Sequence, residues 1–94
     1  MRILLTGSHG FIGTYLRARL ETDGHEVDCW DTKIGKDAWE IKKRDVLSNG
    51  MVIHLAAFAD VRESVNNPKL YYHNNIRLTK RLQEFCEETK VPMI

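Results

Sequence analysis

"LLTGSHGFIG", residues 4–13, decides how this chain is read. The apolar run "RILLT" (2–6) leads straight into three glycines, Gly7, Gly10 and Gly13, spaced three apart. Phe11, Ile12, Tyr15, Leu16 and Leu20 then recur at helical spacing. A short, nearly continuous apolar run suits a strand covered on both faces, as in a parallel sheet. The stretch therefore reads as strand, sharp turn, helix. The first N–H groups of such a helix lack internal partners and lie at the positive end of its dipole, so an anion is held there at little cost. Gly7 permits the turn, Gly10 removes a Cβ where a pyrophosphate approaches the backbone, and Gly13 lets the helix pack closely on the sheet. By itself the triplet also suits a bend that holds no ligand.

Working outward, Asp23-Gly24 stops the first helix. "HEVDCWD" (25–31) reads as a second strand, and "MVIHLAAF" (51–58) as the clearest strand, opening into a loop at Ala56-Ala57. Pro68 is tolerated in a first helical turn. A long amphipathic helix follows to about Lys90, with Leu78, Leu82, Phe85 and Cys86 on one face, and "VPMI" begins a further apolar run. The alternation argues for an α/β parallel sheet. The middle is unusual. A marginal strand is expected near Trp39-Ile41-Arg44, after a short loop, and only six residues separate Asp45 from Val52. A parallel crossover takes a dozen residues or more, and six extended residues reach only ~20 Å. Neither connection is expected to carry a proper helix.

The totals bound the rest. A chain of 94 residues is one small domain of modest stability. With 43% apolar and 29% charged residues it has the composition of a globular protein, and a net charge of +1 lacks the basic footprint of a nucleic-acid binder. Cys29 and Cys86 have no metal-ligand spacing and read as reduced thiols, which fits a cytoplasmic protein. "MRILLTG" is too short for the apolar core of a signal peptide, and no stretch approaches the ~20 apolar residues of a membrane span. No membrane or nucleic-acid partner is expected.

Asp31 sharpens the glycine turn. It stands at the end of the second strand, at the spacing of ~20 residues where a dinucleotide fold places a carboxylate for the adenosine ribose. Such a carboxylate favours NAD over NADP by repelling a 2′-phosphate, although Lys33 and Lys36 lie close by. The other reading of Asp31 is a turn-capping carboxylate. A P-loop is disfavoured, because no Gly-Lys-Ser/Thr follows the turn.

"TGSHGFIG", the "WD" ending the second strand, "HLAAFADVRES", "PKLYYHNN" and the helix after it together resemble the extended short-chain dehydrogenase/reductases. The nearest members are NAD-dependent sugar-nucleotide epimerases and dehydratases of the UDP-glucose 4-epimerase kind. The resemblance runs the length of the chain and covers the N-terminal third or so of such an enzyme. It implies that Gly7, Gly10, Phe11, Ile12 and Gly13 form the pyrophosphate turn. Asp31 and Thr32 would meet the adenosine ribose, and Asp45 and Val46 the adenine. Leu55, Ala56 and Ala57 would pass under the nicotinamide-side ribose and phosphate, and Asn74 would reach the cofactor from the long helix. The implied fold is a truncated Rossmann-like parallel sheet with helices packed on it and shortened middle crossovers.

The departures bear on activity. The family's acid/base pair is Tyr-x-x-x-Lys, and none of Tyr15, Tyr71 and Tyr72 has a lysine four residues on. The catalytic and substrate-binding parts are thus expected to be absent, and residues 1–94 to form a single NAD-binding domain inactive alone. Two other readings stay open. One is half of a split enzyme, completed through an unfinished sheet edge near Met93-Ile94 by a partner chain or second copy. The other is a non-catalytic nucleotide-binding or structural module.

The remaining polar residues have blander readings beside the functional ones. His9 lies in the turn and is a candidate phosphate donor; His54 reads as a buried, satisfied histidine. Asp60, Arg62 and Glu63 suit either a sugar-nucleotide contact or a helix-capping loop. "KKR" (42–44) reads as a solvated face, and Trp30 and Trp39 as packing residues.

Overall fold

The computed structural model describes residues 1–56 and 68–94. Three parallel strands, β1 (Arg2–Thr6), β2 (Glu26–Trp30) and β3 (Met51–His54), form a sheet in the order β2-β1-β3. Helix α1 (Phe11–Thr22) connects β1 to β2, a short helix α2 (Lys43–Leu47) precedes β3, and the long helix α3 (Pro68–Thr89) follows it. Residues 92–94 add to the free side of β3. Val52 donates to the Pro92 carbonyl at 2.9 Å, Ile94 donates to Val52, and His54 donates to Ile94.

Each central strand is covered on both faces, as its unbroken apolar run requires. Leu4 and Val52, paired in register, face a cluster with Trp30, Ala38, Ile41, Val46, Leu78, Leu82 and Cys86. Ile3, Leu5 and Ile53 face the opposite way, onto Leu16 and Leu20 of α1. One face thus carries α1 and the other carries α2 and α3, which is the Rossmann-like arrangement.

Three expectations are corrected. No strand forms at Trp39–Arg44; Ala38–Glu40 is a 3-10 turn, and α2 follows directly. Ala38, Ile41 and Val46 are all buried in one cluster. Their spacing has no strand alternation, so turns rather than an extended run bring them to the core. Asp37 caps the 3-10 turn through the Trp39 N–H, and Asp45 caps α2 through the Lys42 N–H. The connection is therefore one crossover from β2 to β3, and it carries a five-residue helix. Third, the apolar pattern of α1 is only half used. Leu16 and Leu20 pack inward, whereas Phe11, Ile12 and Tyr15 are 85%, 66% and 72% exposed. Phe11 and Tyr15 touch edge to face instead.

Candidate functional site

Parallel strands bring their C-terminal ends to one edge, where open α/β sheets bind ligands. Here that edge collects Gly7 after β1, Asp31 after β2, and Leu55 and Ala56 after β3.

The three glycines have different reasons to be glycine. Gly7 has φ +71°, and a Cβ on it would lie 2.9 Å from the Leu55 and Ala56 backbone. A Cβ on Gly13 would lie 1.9 Å from the Gly7 carbonyl oxygen, so a side chain there would force α1 away from the turn. A Cβ on Gly10 would meet nothing closer than 3.4 Å, and its φ of −79° suits any residue. The chain's own packing thus demands Gly7 and Gly13. At Gly10, which caps the start of α1, it would tolerate a methyl in ordinary contact with the Gly7 carbonyl oxygen. No side chain caps this helix, and no acidic residue lies in its first turn. Its N-terminal amides and dipole are left for an anion from outside.

Asp31 borders the turn. One carboxylate oxygen accepts the His9 N–H at 2.9 Å, and the other accepts the Lys33 N–H at 2.9 Å. It therefore caps the 3-10 turn Thr32–Ile34 and clamps the glycine turn at once. Burial raises its pKa, but the two backbone N–H groups and the Lys33 and His9 charges outweigh burial and hold the carboxyl below its ordinary value. Thr32 is exposed beside it. Lys33 Nζ donates to the His9 carbonyl at 3.0 Å. Lys36 is engaged elsewhere, 3.4 Å from Asp28 and over the Trp30 ring.

Beneath Gly7, the Thr6 hydroxyl oxygen accepts the N–H groups of both Leu55 and Ala56 at 3.0 Å. Thr6 is fully buried and lies 2.6 Å from His54 Nδ1; His54 Nε2 lies 3.2 Å from Thr79 Oγ1 on α3. Burial holds His54 below its ordinary pKa. Sequence reasoning did not single out Thr6 or Thr79. The available signal was a hydroxyl at the last position of β1.

Gly7, Gly10, Phe11, Ile12, Gly13, Asp31, Thr32, Leu55 and Ala56 therefore gather at one sheet edge. Asp45 and Val46 are placed differently. The Asp45 carboxylate caps α2 by accepting the Lys42 N–H at 2.8 Å, and Val46 is fully buried in the core. Asn74 is half-buried on α3. No hydrogen bond or ion pair among the described residues joins these three to the glycine turn. Ala57, Asp60, Arg62 and Glu63 lie outside the described residues. His9 uses its backbone for Asp31 and its ring for Ser8 Oγ, at 2.9 Å. Among the described residues no cluster of three His, Cys, Asp or Glu suits a metal ion, and no helix is long and apolar enough to cross a membrane.

Known proteins share this arrangement. A UDP-glucuronate 4-epimerase of Arabidopsis thaliana is 30% identical over 90% of the chain, which spans 26% of that relative. A UDP-glucose 4-epimerase of Corynebacterium glutamicum is 34% identical over 81% of the chain, and 28% of it is covered. Among solved structures, an NAD dependent NDP-hexosamine 5,6-dehydratase superimposes with a TM-score of 0.82 at 31% identity, over 98% of this chain and 35% of the other. A UDP-glucose 4-epimerase of Thermus thermophilus, solved with NAD, gives a TM-score of 0.74 at 28% identity, over 97% and 35%. The chain thus spans about a quarter to a third of these relatives. The family model that matches residues 3–94 agrees with them: the chain belongs to the NAD dependent epimerase/dehydratase family.

Proposed function

We propose that this chain is the NAD-holding part of a nucleotide-sugar epimerase or dehydratase, an extended short-chain dehydrogenase/reductase of the cytoplasm. The observation that carries the reading is a glycine at position 10 that the chain's own packing does not require, on a helix N-terminus without a side-chain cap whose neighbour Asp31 is already fixed in place. The turn Gly7–Gly13, with Phe11 and Ile12, holds the pyrophosphate. Asp31 accepts from the adenosine ribose, with Thr32 beside it, and its ionised carboxylate disfavours the 2′-phosphate of NADP. Leu55, Ala56 and Ala57 lie under the nicotinamide half, and Asn74 approaches from α3. Asp45 and Val46 border the adenine, through whatever atoms the cap and the core leave available.

NAD, when bound, supplies a hydride acceptor at its nicotinamide. This chain contributes binding and orientation. It contains no Tyr-x-x-x-Lys, so we expect it to bind NAD without turnover when assayed alone. Residues 1–94 act as one Rossmann-like domain. A sugar nucleotide would be the substrate of the whole enzyme, as the UDP-sugars named for solved neighbours suggest.

A second reading, pairing with a complementing chain or a second copy, draws on residues 92–94. They bond to β3 as a short parallel strand, while Ile94 stays 75% exposed.

Calorimetric titration of the purified chain with NAD, with Asp31→Ala as control, tests the main reading. Saturable binding lost in the variant supports it. No binding up to millimolar NAD rejects it and favours a structural module.

A further inference from the structure

Thr6 and His54 are partners in the β1–β3 register, and both meet the α3 side of the sheet. The hydrogen bonds around them have one consistent direction. Thr79 Oγ1 donates to the Asn75 carbonyl at 2.9 Å, so its lone pairs face His54 Nε2. That nitrogen must then carry the proton. In a neutral ring Nδ1 is left as an acceptor, and it takes the Thr6 hydroxyl proton at 2.6 Å. The Thr6 lone pairs take the Leu55 and Ala56 N–H groups. Every donor in the series has an acceptor, and the Leu55 N–H also reaches the Thr6 carbonyl at 3.2 Å.

We infer that His54 is a positioning residue: in its Nε2–H tautomer it relays the placement of α3, through Thr6, to the Leu55–Ala56 backbone that lies against Gly7. The consequence for NAD rests on the cofactor reading above; the relay itself does not.

Protonation breaks the series. A second N–H, on Nδ1, would face an oxygen already accepting two N–H groups, and the Thr6 proton would lose its acceptor. Leaving such buried groups unpaired is costly. Burial opposes the charge as well. Among the described residues, the titratable groups around the same groove are Cys86, Glu87 and Lys90, and β1 offers only the uncharged Thr6. The lowered pKa of His54 comes from burial and not from those neighbours. The floor under Gly7 is therefore firm at neutral pH and loosens only in acid below the ordinary histidine value, and NAD affinity falls with it.

The test uses the full 94-residue chain with 15N-labelled histidine. Long-range proton–nitrogen spectra should show a single Nε2–H tautomer for His54. Thr79→Val should mix the tautomers and move the Leu55 and Ala56 amide resonances. Thr6→Ser, which keeps the hydroxyl, should preserve the tautomer, and Thr6→Val should lose it. In the native chain NAD affinity should hold down to the ordinary histidine value of about 6.5, then fall by up to about tenfold per pH unit below the lowered His54 value; in His54→Gln it should stay level. An Nδ1–H tautomer, unmoved Leu55 and Ala56 amides in Thr79→Val, or the same acid loss of affinity in His54→Gln would each overturn the inference. Should NAD fail to bind at any pH, the cofactor reading falls alone, because the tautomer and amide results still decide the relay.

Discussion

The carboxylate of Asp31 accepts the backbone N–H of His9 at 2.9 Å, which ties the end of β2 to the middle of the glycine turn. Lys33 closes the loop through its own N–H on the other carboxylate oxygen and through its ammonium on the His9 carbonyl. The turn is thus held in shape by the chain itself. A site ordered in advance spends less of its binding energy on ordering.

Asp31→Ala should therefore act twice. It removes the proposed ribose acceptor and releases the turn, so NAD should bind at least about tenfold more weakly, while loss of the cap lowers stability by about 1–2 kcal/mol. Calorimetry and urea unfolding on the same preparation separate the two effects. Asp31→Asn keeps one acceptor oxygen and should fall between native and Ala in both.

Gly10→Ala and Gly13→Ala should part company. At Gly10 the methyl would rest 3.4 Å from the Gly7 carbonyl oxygen, an ordinary contact, and the cost is that of a poorer helix cap, about 1 kcal/mol or less. On the proposed cofactor reading its methyl would stand where the pyrophosphate comes flush, so affinity should drop with the fold intact. At Gly13 the methyl would lie 1.9 Å from the Gly7 carbonyl oxygen, and the turn cannot keep its shape. Circular dichroism and thermal melting should show a native-like Gly10→Ala and a strongly destabilised Gly13→Ala. Equal damage from both would mean that the fold itself, and not a ligand, requires Gly10.

What the sequence made legible was local. The glycine turn, α1, β2, Asp31 and α3 follow from periodicity and spacing within a few turns of chain. The stretch from Lys33 to Gly50 was not legible, because Ala38, Ile41 and Val46 obey no single period. They become a face only when α3, some forty residues on, packs against them. The same limit hid Thr6 and Thr79, whose hydroxyls gain a role through the register of β1 against β3. The division of labour among the glycines was legible from the motif; the structure adds the distances that make Gly7 and Gly13 obligatory for the fold.

Stability should fall with acid in two stages. His54 is held below its ordinary pKa of about 6.5 by burial, so the unfolded chain binds the proton more readily. Its contribution is complete above that ordinary value and is lost as pH falls through the folded one. Asp31 is also depressed in the folded chain, so its contribution is present above the ordinary carboxylate value of about 3.9 and is lost as pH falls below it. Melting temperature against pH should show a first decline that His54→Gln removes and a second, more acidic one that Asp31→Asn removes.

The crossover supplies the last prediction. If residues 31–50 were only a short linker between β2 and β3, truncating Ile41 would matter little. Ile41 is instead fully buried in the cluster with Leu4, Val46, Leu78 and Leu82, and its carbonyl accepts Arg81 Nη2 at 3.0 Å. Deleting a side chain so placed costs about 2–5 kcal/mol, a large share of the ~5–15 kcal/mol that holds a typical domain. Leu47, at the end of the adjoining α2, is 60% exposed, and Leu47→Ala should stay within about 0.5 kcal/mol of native. Urea midpoints for the two variants decide the matter. A wide gap would establish the crossover as part of the core, with Ile41 as its anchor. Matching midpoints near the native value would mean the segment only joins two strands.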